Sequence, residues 1–553
     1  MADKEFNLLD ENWVRVITPE CEIKEVSLTD AIVHSHEYSG LCGELPTQDV
    51  AVMRLLLAVL HTVFSRVNED GEPAPLEDPD EALERWKAIW DMGHIPENPV
   101  RDYLESQHEK FWLFHPERPF YQVPEKDFPK KEGKEEDKHG KPYSAKKLNG
   151  EIYESANKVR LFSQNGFDRN KLSYAEAARW TISLQAFDDV AVKYINDREK
   201  GKQGPGVGWL GKLGIITAKG KNLFETLMLN FVLLKDGNEI FGEEKPTWEQ
   251  AKANSEEEKE ITVPDNLAEL YTLQTRRLLL LRNDEVVTEY YLCQGDYFQS
   301  NNAFIEPMTI WKPKLSNTKD KSVLYYYPYT HDSSVQMWRE FASTFPAQKS
   351  EYEHTPGVVK WISELQNAEF LDDNEIIKFC ICSAEYGASN SSIADVFSDE
   401  LSFHKKMLAE AEYGWRMAIS DEVAKCKEVA DKVAVLAKEI DMAQRAKTKE
   451  QKNDDIGKEE DRQFYYRIDV PFRKWLESIN SEWGTEESEA DRKRWRETAR
   501  KIAIALGEEM VANAGEDAFT GRMIKDDKSD NKKYYSSAKA LLTFRSEARK
   551  IYD

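Results

Sequence analysis

The stretch EVAKCKEVADKVAVLAKEIDMAQRA, residues 422–446, carries the clearest secondary-structure signal of the chain. Its apolar residues recur every three or four positions, which places them along one face of an α-helix. They are Val423, Cys426, Val429, Val433, Leu436, Ile440 and Ala443. Charged residues fill most other positions, so the pattern predicts a long amphipathic helix that buries one face against other elements.

Other segments with helical periodicity lie on both sides of this stretch. They span residues 403–419, 464–479, 491–510 and 536–552. Polar segments connect them, and Pro471 is expected to interrupt the segment that contains it. Long amphipathic helices with polar connections are typical of a helical bundle. Because the pattern turns helical from Asn390 onward, we predict a separate C-terminal bundle over residues 396–553.

The preceding residues, 1–395, alternate between short strand and helix patterns, which predicts a mixed α/β domain. Residues 48–64 are apolar nearly all round, so we expect a buried helix, with Thr47 as its N-cap. His61 lies within this segment and is interpreted as a core residue, since no second histidine lies at metal-ligand spacing. Two β-branched and aromatic runs flank a turn at residues 283–284 and predict a hairpin.

Composition limits the function classes that this chain fits. It has 553 residues and a formal net charge of −25, so contact with nucleic acid must come from local basic loops rather than bulk attraction. Six cysteines without a CxxC pair argue against a zinc ribbon and fit a reducing cytoplasm. The N-terminus lacks signal-peptide features, and no apolar run approaches 18 residues, so we expect no membrane span.

Catalytic signatures are missing from the sequence. It contains no GxSxG, HExxH or Walker A motif, and it predicts no cofactor and no metal site. The sequence therefore argues against an enzyme. Two alternatives stay open: a metal-dependent nuclease that uses scattered acidic residues, and a purely structural scaffold. The charged segment 125–149 is expected to be a solvated loop, with phosphate binding as its alternative.

A second stretch, GKQGPGVGWLGKLGIITAKGK at residues 201–221, combines seven glycines with lysines. Glycine permits close backbone approach to another molecule and lysine supplies positive charge, so a basic glycine loop suggests contact with a phosphate backbone. Gly206-x-Gly208-x-x-Gly211 matches the dinucleotide fingerprint, but a polar segment precedes it and a short β-like segment follows it, which argues against a Rossmann site. A surface loop without a ligand is the alternative.

Five segments, in this order along the chain, together resemble the CasA family, the large subunits of the type I-E CRISPR surveillance complex called Cascade. They are FNLLDENWVRVI at 6–17, KFWLFHPERPFYQV at 110–123, LYTLQTRRLLL at 270–280, QGDYFQSNNAFIEPMTIWK at 294–312 and FYYRIDVPF at 464–472. The resemblance covers nearly the whole chain and rests on the order and spacing of the segments.

The resemblance implies an α+β fold class, with a mixed α/β N-terminal domain followed by an all-α bundle of the four-helix type. It also implies a non-catalytic subunit that acts in antiviral defence with crRNA and the other subunits of the complex. Such a subunit reads the PAM in double-stranded DNA, helps to open the duplex for crRNA pairing and recruits a helicase-nuclease. Protein reading of the PAM, with base pairing reading the sequence, is general in RNA-guided recognition.

The resemblance also implies residues for DNA binding. Pro205, Gly206 and Gly208 match the Pro-Gly-x-Gly core of the family's glycine loop, whose backbone approaches the PAM minor groove. Trp209 occupies a position that is glycine in some members. The stretch YGASNSS, residues 386–392, takes the place of a wedge hairpin, in which Asn390 aligns with a tip glutamine and Ser391 lies beside it.

The segment RLFSQN resembles the family's loop that meets the 5′ handle of the guide RNA. Phe162 is then expected to stack on an unpaired base, with Ser163 and Gln164 beside it. Core packing of Phe162 is the alternative from the residue alone.

This sequence departs from the family where some members have a PAM-reading lysine. No lysine or arginine occurs between Arg282 and Lys312. Three uncharged residues are candidates to replace it, namely Gln294, Gly295 and Gln299. Because the lysine is missing, we expect a PAM preference that differs from theirs. A cysteine cluster of some relatives is also absent there, where only Cys293 remains.

Overall fold

A computed structural model describes most of the chain. The described residues are 4–128, 141–149, 170–189, 206–250, 260–315, 324–347, 355–387, 390, 392–444, 453–525 and 532–553. By internal contacts the chain divides into two compact units. The first comprises Met1–Val335, Tyr352–Phe370 and Lys378–Glu400, and the second comprises Gln336–Glu351, Leu371–Ile377 and Leu401–Asp553.

The described helices and strands are as follows, in chain order. The helices are α1 Leu28–Val33, α2 Pro46–Phe64, α3 Pro79–Met92, α4 Glu97–Gln107, α5 Tyr174–Phe187, α6 Leu223–Asn230, α7 Leu267–Tyr271, α8 Phe341–Thr344, α9 Gly357–Asn367, α10 Tyr413–Gln444, α11 Asn453–Ser478, α12 Glu486–Ala512, α13 Gly515–Thr520 and α14 Ser537–Tyr552. The strands are β1 Glu5–Asn7, β2 Val14–Ile17, β3 Ile23–Val26, β4 Gly40–Leu41, β5 Trp112–Phe114, β6 Tyr143–Ser144, β7 Ile215–Lys219, β8 Leu234–Lys235, β9 Glu239–Ile240, β10 Arg276–Asn283, β11 Val286–Gln294, β12 Trp311–Leu315, β13 Leu324–Pro328, β14 Ile376–Tyr386, β15 Ile393–His404, β16 Arg522–Lys525 and β17 Lys532–Tyr535.

Helix α2 is the central core element of the first unit. Leu45 is its N-cap and Pro46 its first residue, so the predicted cap at Thr47 is wrong: proline has the φ angle that a helix start requires. By length and composition alone α2 is apolar enough to cross a membrane, but 94% of the tested window is buried inside the protein. His61 is buried with its ring 4.7 Å from that of Phe231, which confirms the predicted core histidine.

The described sheets are small. Three have three strands, in the orders β3-β2-β4, β10-β11-β6 and β15-β14-β7, and four are two-stranded. The predicted hairpin is confirmed, because β10 and β11 pair antiparallel, but its turn lies at residues 284–285 rather than 283–284, since Asn283 still pairs with Val286. Part of the predicted solvated loop 125–149 is packed instead: Phe128 is buried and β6 pairs with β11, since aromatic residues interrupt the charged run there.

Strand β15 was not predicted. Residues 393–404 lie after the point where the sequence pattern was interpreted as helical, yet they form an antiparallel neighbour of β14. The predicted helix at 403–419 is also wrong, because it covers the end of β15, two 3-10 turns and the start of α10. The segment alternates polar and apolar residues near its end, and pairing with β14 satisfies its backbone groups.

Four long helices, α10, α11, α12 and α14, pack in the second unit. Of the apolar positions predicted along residues 422–446, all are buried except Val423, which is half-buried. Pro471 lies inside α11 without ending it, so the predicted interruption is wrong. Buried residues continue along one face on both sides of Pro471, which compensates for the lost backbone hydrogen bond. The hairpin β16–β17 adds two unpredicted strands.

Candidate nucleic-acid interface

The structure describes three of the eight predicted binding residues, Gly206, Gly208 and Asn390. The other five lie outside the described residues, namely Pro205, Ser391, Phe162, Ser163 and Gln164. The three described residues belong to the first unit. They lie in two segments, 206–214 and 386–392, that meet at the C-terminal end of α5.

Helix α5 is fixed at its N-terminus by a capping box between Ser173 and Glu176 and ends at Phe187. We call its last residue and the two that follow, 187–189, the α5 corner. The N–H of Gly208 donates a hydrogen bond to the carbonyl of Asp188, at 2.9 Å. A Cβ atom on Gly208 would lie 2.3 Å from the carbonyl oxygen of Ala186. Gly208 is therefore required for close packing of the loop on its own protein.

Gly206 has a different environment. Its φ angle is +93°, a conformation that side-chain-bearing residues rarely adopt, and a Cβ placed on it would meet Lys212 at 3.7 Å. The nearest protein atom thus belongs to a flexible side chain rather than to backbone. Among the residues that the structure describes, backbone thus crowds Gly208 but not Gly206, so Gly206 is the better candidate of the two for close approach of another molecule.

Arg276, the first residue of β10, holds the glycine loop against the α5 corner. It is buried, its Nε forms an ion pair with the carboxylate of Asp188, and its Nη2 donates to the carbonyl of Asp189 at 2.9 Å. The same Nη2 donates to the carbonyl of Gly206 at 3.0 Å. Arg277 is also buried and pairs with Asp296 at 2.7 Å. Both arginines of this pair are therefore held by carboxylates of the protein itself.

Lys212 contributes positive charge beside the loop. Burial, together with the nearby charge of Arg276, lowers the pKa of its ammonium group to about 8. At neutral pH most of the population is therefore still protonated. A cation held next to the open face of Gly206 favours an anionic ligand there.

The second segment is a hairpin tip between β14 and β15. The N–H of Gly387 donates to the carbonyl of Ser392, and the N–H of Asn390 donates to the carbonyl of Gly387, both at 2.9 Å. Asn390 is exposed and has a φ angle of +53°, which asparagine tolerates better than most residues. This turn presents the Asn390 residue to solvent.

Tyr386 connects the hairpin to the glycine loop. It is the last residue of β14, and its hydroxyl donates a hydrogen bond to the carbonyl of Phe187 at 2.6 Å. Its ring and hydroxyl also face Gly211, where an added Cβ would lie 2.1 Å from the hydroxyl oxygen. Both predicted DNA-binding segments are therefore attached to the α5 corner, a link between residues 199 positions apart.

Trp209, at the position that is glycine in some members of the resembled family, is buried and points into the protein. Its indole Nε1 donates to Glu306 at 2.7 Å, and Glu306 accepts two hydrogen bonds from Arg54 of α2, at 2.8 and 2.9 Å. The Trp209 ring lies 4.4 Å from that of Phe298. This network fixes the middle of the loop to the core.

The three candidates to replace the PAM-reading lysine differ in accessibility. Gln294 is buried, and a Cβ on Gly295 would lie 2.5 Å from backbone atoms of Gln274 and Arg276. Gln299 is exposed, and its Nε2 donates to Glu260 at 2.5 Å. Gln299 is therefore the one of the three candidates with an exposed side chain, and it follows the Phe298 that packs on Trp209.

The dinucleotide fingerprint lacks the context that such a site needs. A 3-10 turn at Trp209–Lys212 and strand β7 follow Gly208, where a Rossmann site requires a helix. Among the residues that the structure describes, no group of three or more His, Cys, Asp or Glu side chains is arranged to hold a metal ion. The six cysteines are free.

Sequence reasoning did not identify Asp188, Glu306 or Arg54 as members of this region, and it included Tyr386 only as the first residue of the hairpin stretch. Each is an ordinary residue in its local sequence. Their roles arise from contacts between distant segments, so no local pattern signals them.

A family model described as "CRISPR-associated protein Cse1" matches residues 7–506. A CRISPR-associated protein CasA/Cse1 from Thermus thermophilus is 32% identical over 230 residues, which are 41% of this chain and 40% of the Thermus protein. That sequence match thus spans less than half of the relative.

The fold has close counterparts among solved structures. The crystal structure of Cse1 from Thermobifida fusca matches with a TM-score of 0.80 and 27% identity, over 99% of this chain and 98% of the other. A chain from a CRISPR RNA-guided surveillance complex matches with a TM-score of 0.69 and 15% identity, over 99% and 100%. These matches confirm the predicted α+β fold class with its C-terminal helical bundle.

Proposed function

The chain belongs to the CRISPR-associated Cse1 family, and we propose that it is the CasA-type large subunit of a type I-E surveillance complex. In that complex it works with crRNA and the other subunits. A chain of similar fold belongs to a CRISPR RNA-guided surveillance complex, which supports this assignment. The proposed task is to recognise the PAM in double-stranded DNA and to help open the duplex for crRNA pairing.

The observation that carries the proposal is the common attachment of the glycine loop and the hairpin to the α5 corner. Gly206 offers open backbone with a lysine beside it, and Asn390 is exposed at a hairpin tip. Backbone at Gly206 suits the minor groove, and a hairpin tip suits insertion at the neighbouring base step. Insertion must offset an unstacking cost of a few kcal/mol per step.

Four further parts of the proposal rest on the family. The RLFSQN segment, with Phe162, Ser163 and Gln164, contacts the guide RNA. The subunit recruits the helicase-nuclease and has no catalytic activity of its own. Its place of action is the cytoplasm, where crRNA and invading DNA meet.

The decisive experiment measures binding of duplex DNA by the reconstituted complex with and without this chain. A randomised PAM library is used at fixed salt, because phosphate contacts make affinity strongly salt-dependent. We expect the chain to create a PAM preference. If the complex lacking the chain binds PAM-bearing duplex equally well, the proposed function is wrong.

A second experiment separates PAM reading from assembly. Asn390→Ala, or a bulky residue in place of Gly206, is expected to weaken duplex binding and to leave binding of single-stranded target unchanged. Equal loss on both substrates would indicate failed assembly rather than failed PAM recognition. Gln299→Ala tests the replacement of the family's lysine and is expected to change the PAM preference rather than the overall affinity.

Two other functions make different predictions. A metal-dependent nuclease requires divalent-metal-dependent cleavage by the isolated chain, which we do not expect. A purely structural scaffold predicts that substitutions in the glycine loop change neither PAM preference nor affinity. For recruitment, we expect a helicase-nuclease to be retained by the target-bound complex with this chain and lost from the complex without it.

A further inference from the structure

We propose that Tyr386 is a positioning residue that couples the hairpin to the glycine loop, so that the two segments contribute cooperatively to duplex binding. This inference rests on the proposed function and extends it, because it assigns a role to a residue that lies in neither predicted contact set. Its hydroxyl donates to the carbonyl of Phe187 at 2.6 Å. The α5 corner thereby joins both segments.

The glycine loop depends on the same corner through different atoms. Gly208 donates to the carbonyl of Asp188, and Arg276 joins the carbonyls of Asp189 and Gly206 through one guanidinium nitrogen. The consecutive carbonyls of residues 187, 188 and 189 thus accept bonds from the hairpin, from the loop and from Arg276. If the hairpin or the glycine loop shifts the α5 corner, the carbonyls that hold the other segment shift as well.

Close packing reinforces the hydrogen bonds. An added Cβ on Gly211 would lie 2.1 Å from the Tyr386 hydroxyl oxygen and 2.9 Å from the ring atom that carries it. The absence of a side chain at Gly211 lets the tyrosine reach Phe187. Tyr386 is followed directly by Gly387, whose hydrogen bond to Ser392 closes the hairpin tip. The tyrosine therefore sits at the base of the element that carries Asn390.

The test uses Tyr386→Phe, which removes the hydroxyl and keeps the ring. Tyr174→Phe is the matched control, since the Tyr174 hydroxyl also donates to a backbone carbonyl of the first unit, that of Asp284 at 3.0 Å. In the assembled complex, we expect Tyr386→Phe to raise the Kd for PAM-bearing duplex about two- to tenfold, the range for one lost hydrogen bond. Binding of single-stranded target and the thermal midpoint should match those of the control.

Coupling is measured by combining Gly206→Ala and Asn390→Ala in three backgrounds. If the segments act together, the double variant loses less duplex affinity than the product of the two single losses. The same shortfall should appear in the Tyr174→Phe background. In the Tyr386→Phe background the two losses should multiply, because each segment then acts independently.

The outcomes separate this inference from the proposed function. The coupling is overturned if the affinity losses of the two single variants already multiply in the unmodified chain. It is also overturned if the double variant still loses less than their product in the Tyr386→Phe background. Either result leaves the proposed PAM recognition intact. If neither Gly206→Ala nor Asn390→Ala changes duplex binding, the proposed function is overturned and this inference with it.

Discussion

Removal of Arg54 from its buried pair with Glu306 is expected to destabilise the first unit by about 3–5 kcal/mol. Both side chains are almost fully inaccessible, with 1% and 0% exposed, and two nitrogens of Arg54 bind the two carboxylate oxygens at 2.8 and 2.9 Å. In Arg54→Met the carboxylate keeps the Trp209 indole and the Met308 N–H as donors. A charge that remains buried without its counter-ion accounts for most of the cost.

The second half of the cycle replaces the carboxylate as well. In the double variant Arg54→Met, Glu306→Gln the buried charge is gone, and the amide oxygen still accepts from Trp209. We therefore expect the double variant to recover to within about 1–2 kcal/mol of the unmodified chain. Arg101→Met is the control, because its pair with Glu97 is exposed at 45% and 51% and contributes about 0.5 kcal/mol or less.

The assay is urea denaturation of the purified chain, with the free energy of unfolding taken from the transition of the first unit. Because the chain has two compact units, the unfolding transition of the first unit must be resolved from that of the second. The reasoning is refuted if Arg54→Met costs no more than the exposed control, or if the double variant is as unstable as the sum of the two single variants. The same variants should lower PAM discrimination, since Glu306 holds Trp209 of the glycine loop.

The remaining predictions concern glycine packing and pH. Gly208→Ala should destabilise the chain by about 1–3 kcal/mol, because its Cβ would lie 2.3 Å from a backbone carbonyl oxygen. Gly40→Ala is the control: among the described residues, no non-neighbouring atom lies within 4 Å of a Cβ added there, so thermal stability should change little. Burial lowers the pKa of His61 to about 3, so its contribution to stability is lost as pH falls below about 6.5. Burial raises the pKa of Glu244 to about 7, so its effect is opposite and stability falls as pH rises from about 4.5 to 7. Urea unfolding between pH 4.5 and 6.5 should therefore show that, relative to the unmodified chain, stability rises less with pH in His61→Leu and rises more with pH in Glu244→Gln. A difference of the opposite sign in either variant would contradict the direction of the pKa shift of the residue that was replaced.

Local patterns were sufficient to predict much of the fold. The three- and four-residue spacing of Val429, Val433, Leu436 and Ile440 predicted the central part of α10, and all four are buried. The hairpin of β10 and β11 was likewise visible in two β-rich runs around a turn. Such signals are readable because hydrophobic periodicity depends on residues a few positions apart.

Where local patterns failed, tertiary contacts outweighed them. Strand β15 forms because its backbone groups pair with β14. Helix α11 continues through Pro471 because buried residues on both sides of the proline pack against the other helices. The intrinsic preference of a residue for helix or strand determines secondary structure less strongly than burial and strand pairing do.

The two segments of the candidate interface were selected from the sequence, through the glycines and lysines of one loop and the resemblance to the family. Glycine at 206 and asparagine at 390 also suit the positive φ angles that the structure has there. Tertiary structure alone decided how these segments meet. A Cβ on Gly208 would meet backbone, a Cβ on Gly206 would meet the side chain of Lys212, and Tyr386 bonds to a carbonyl 199 positions away. Contacts between residues so far apart in the sequence leave no local sequence pattern, so they can be identified only in the folded structure.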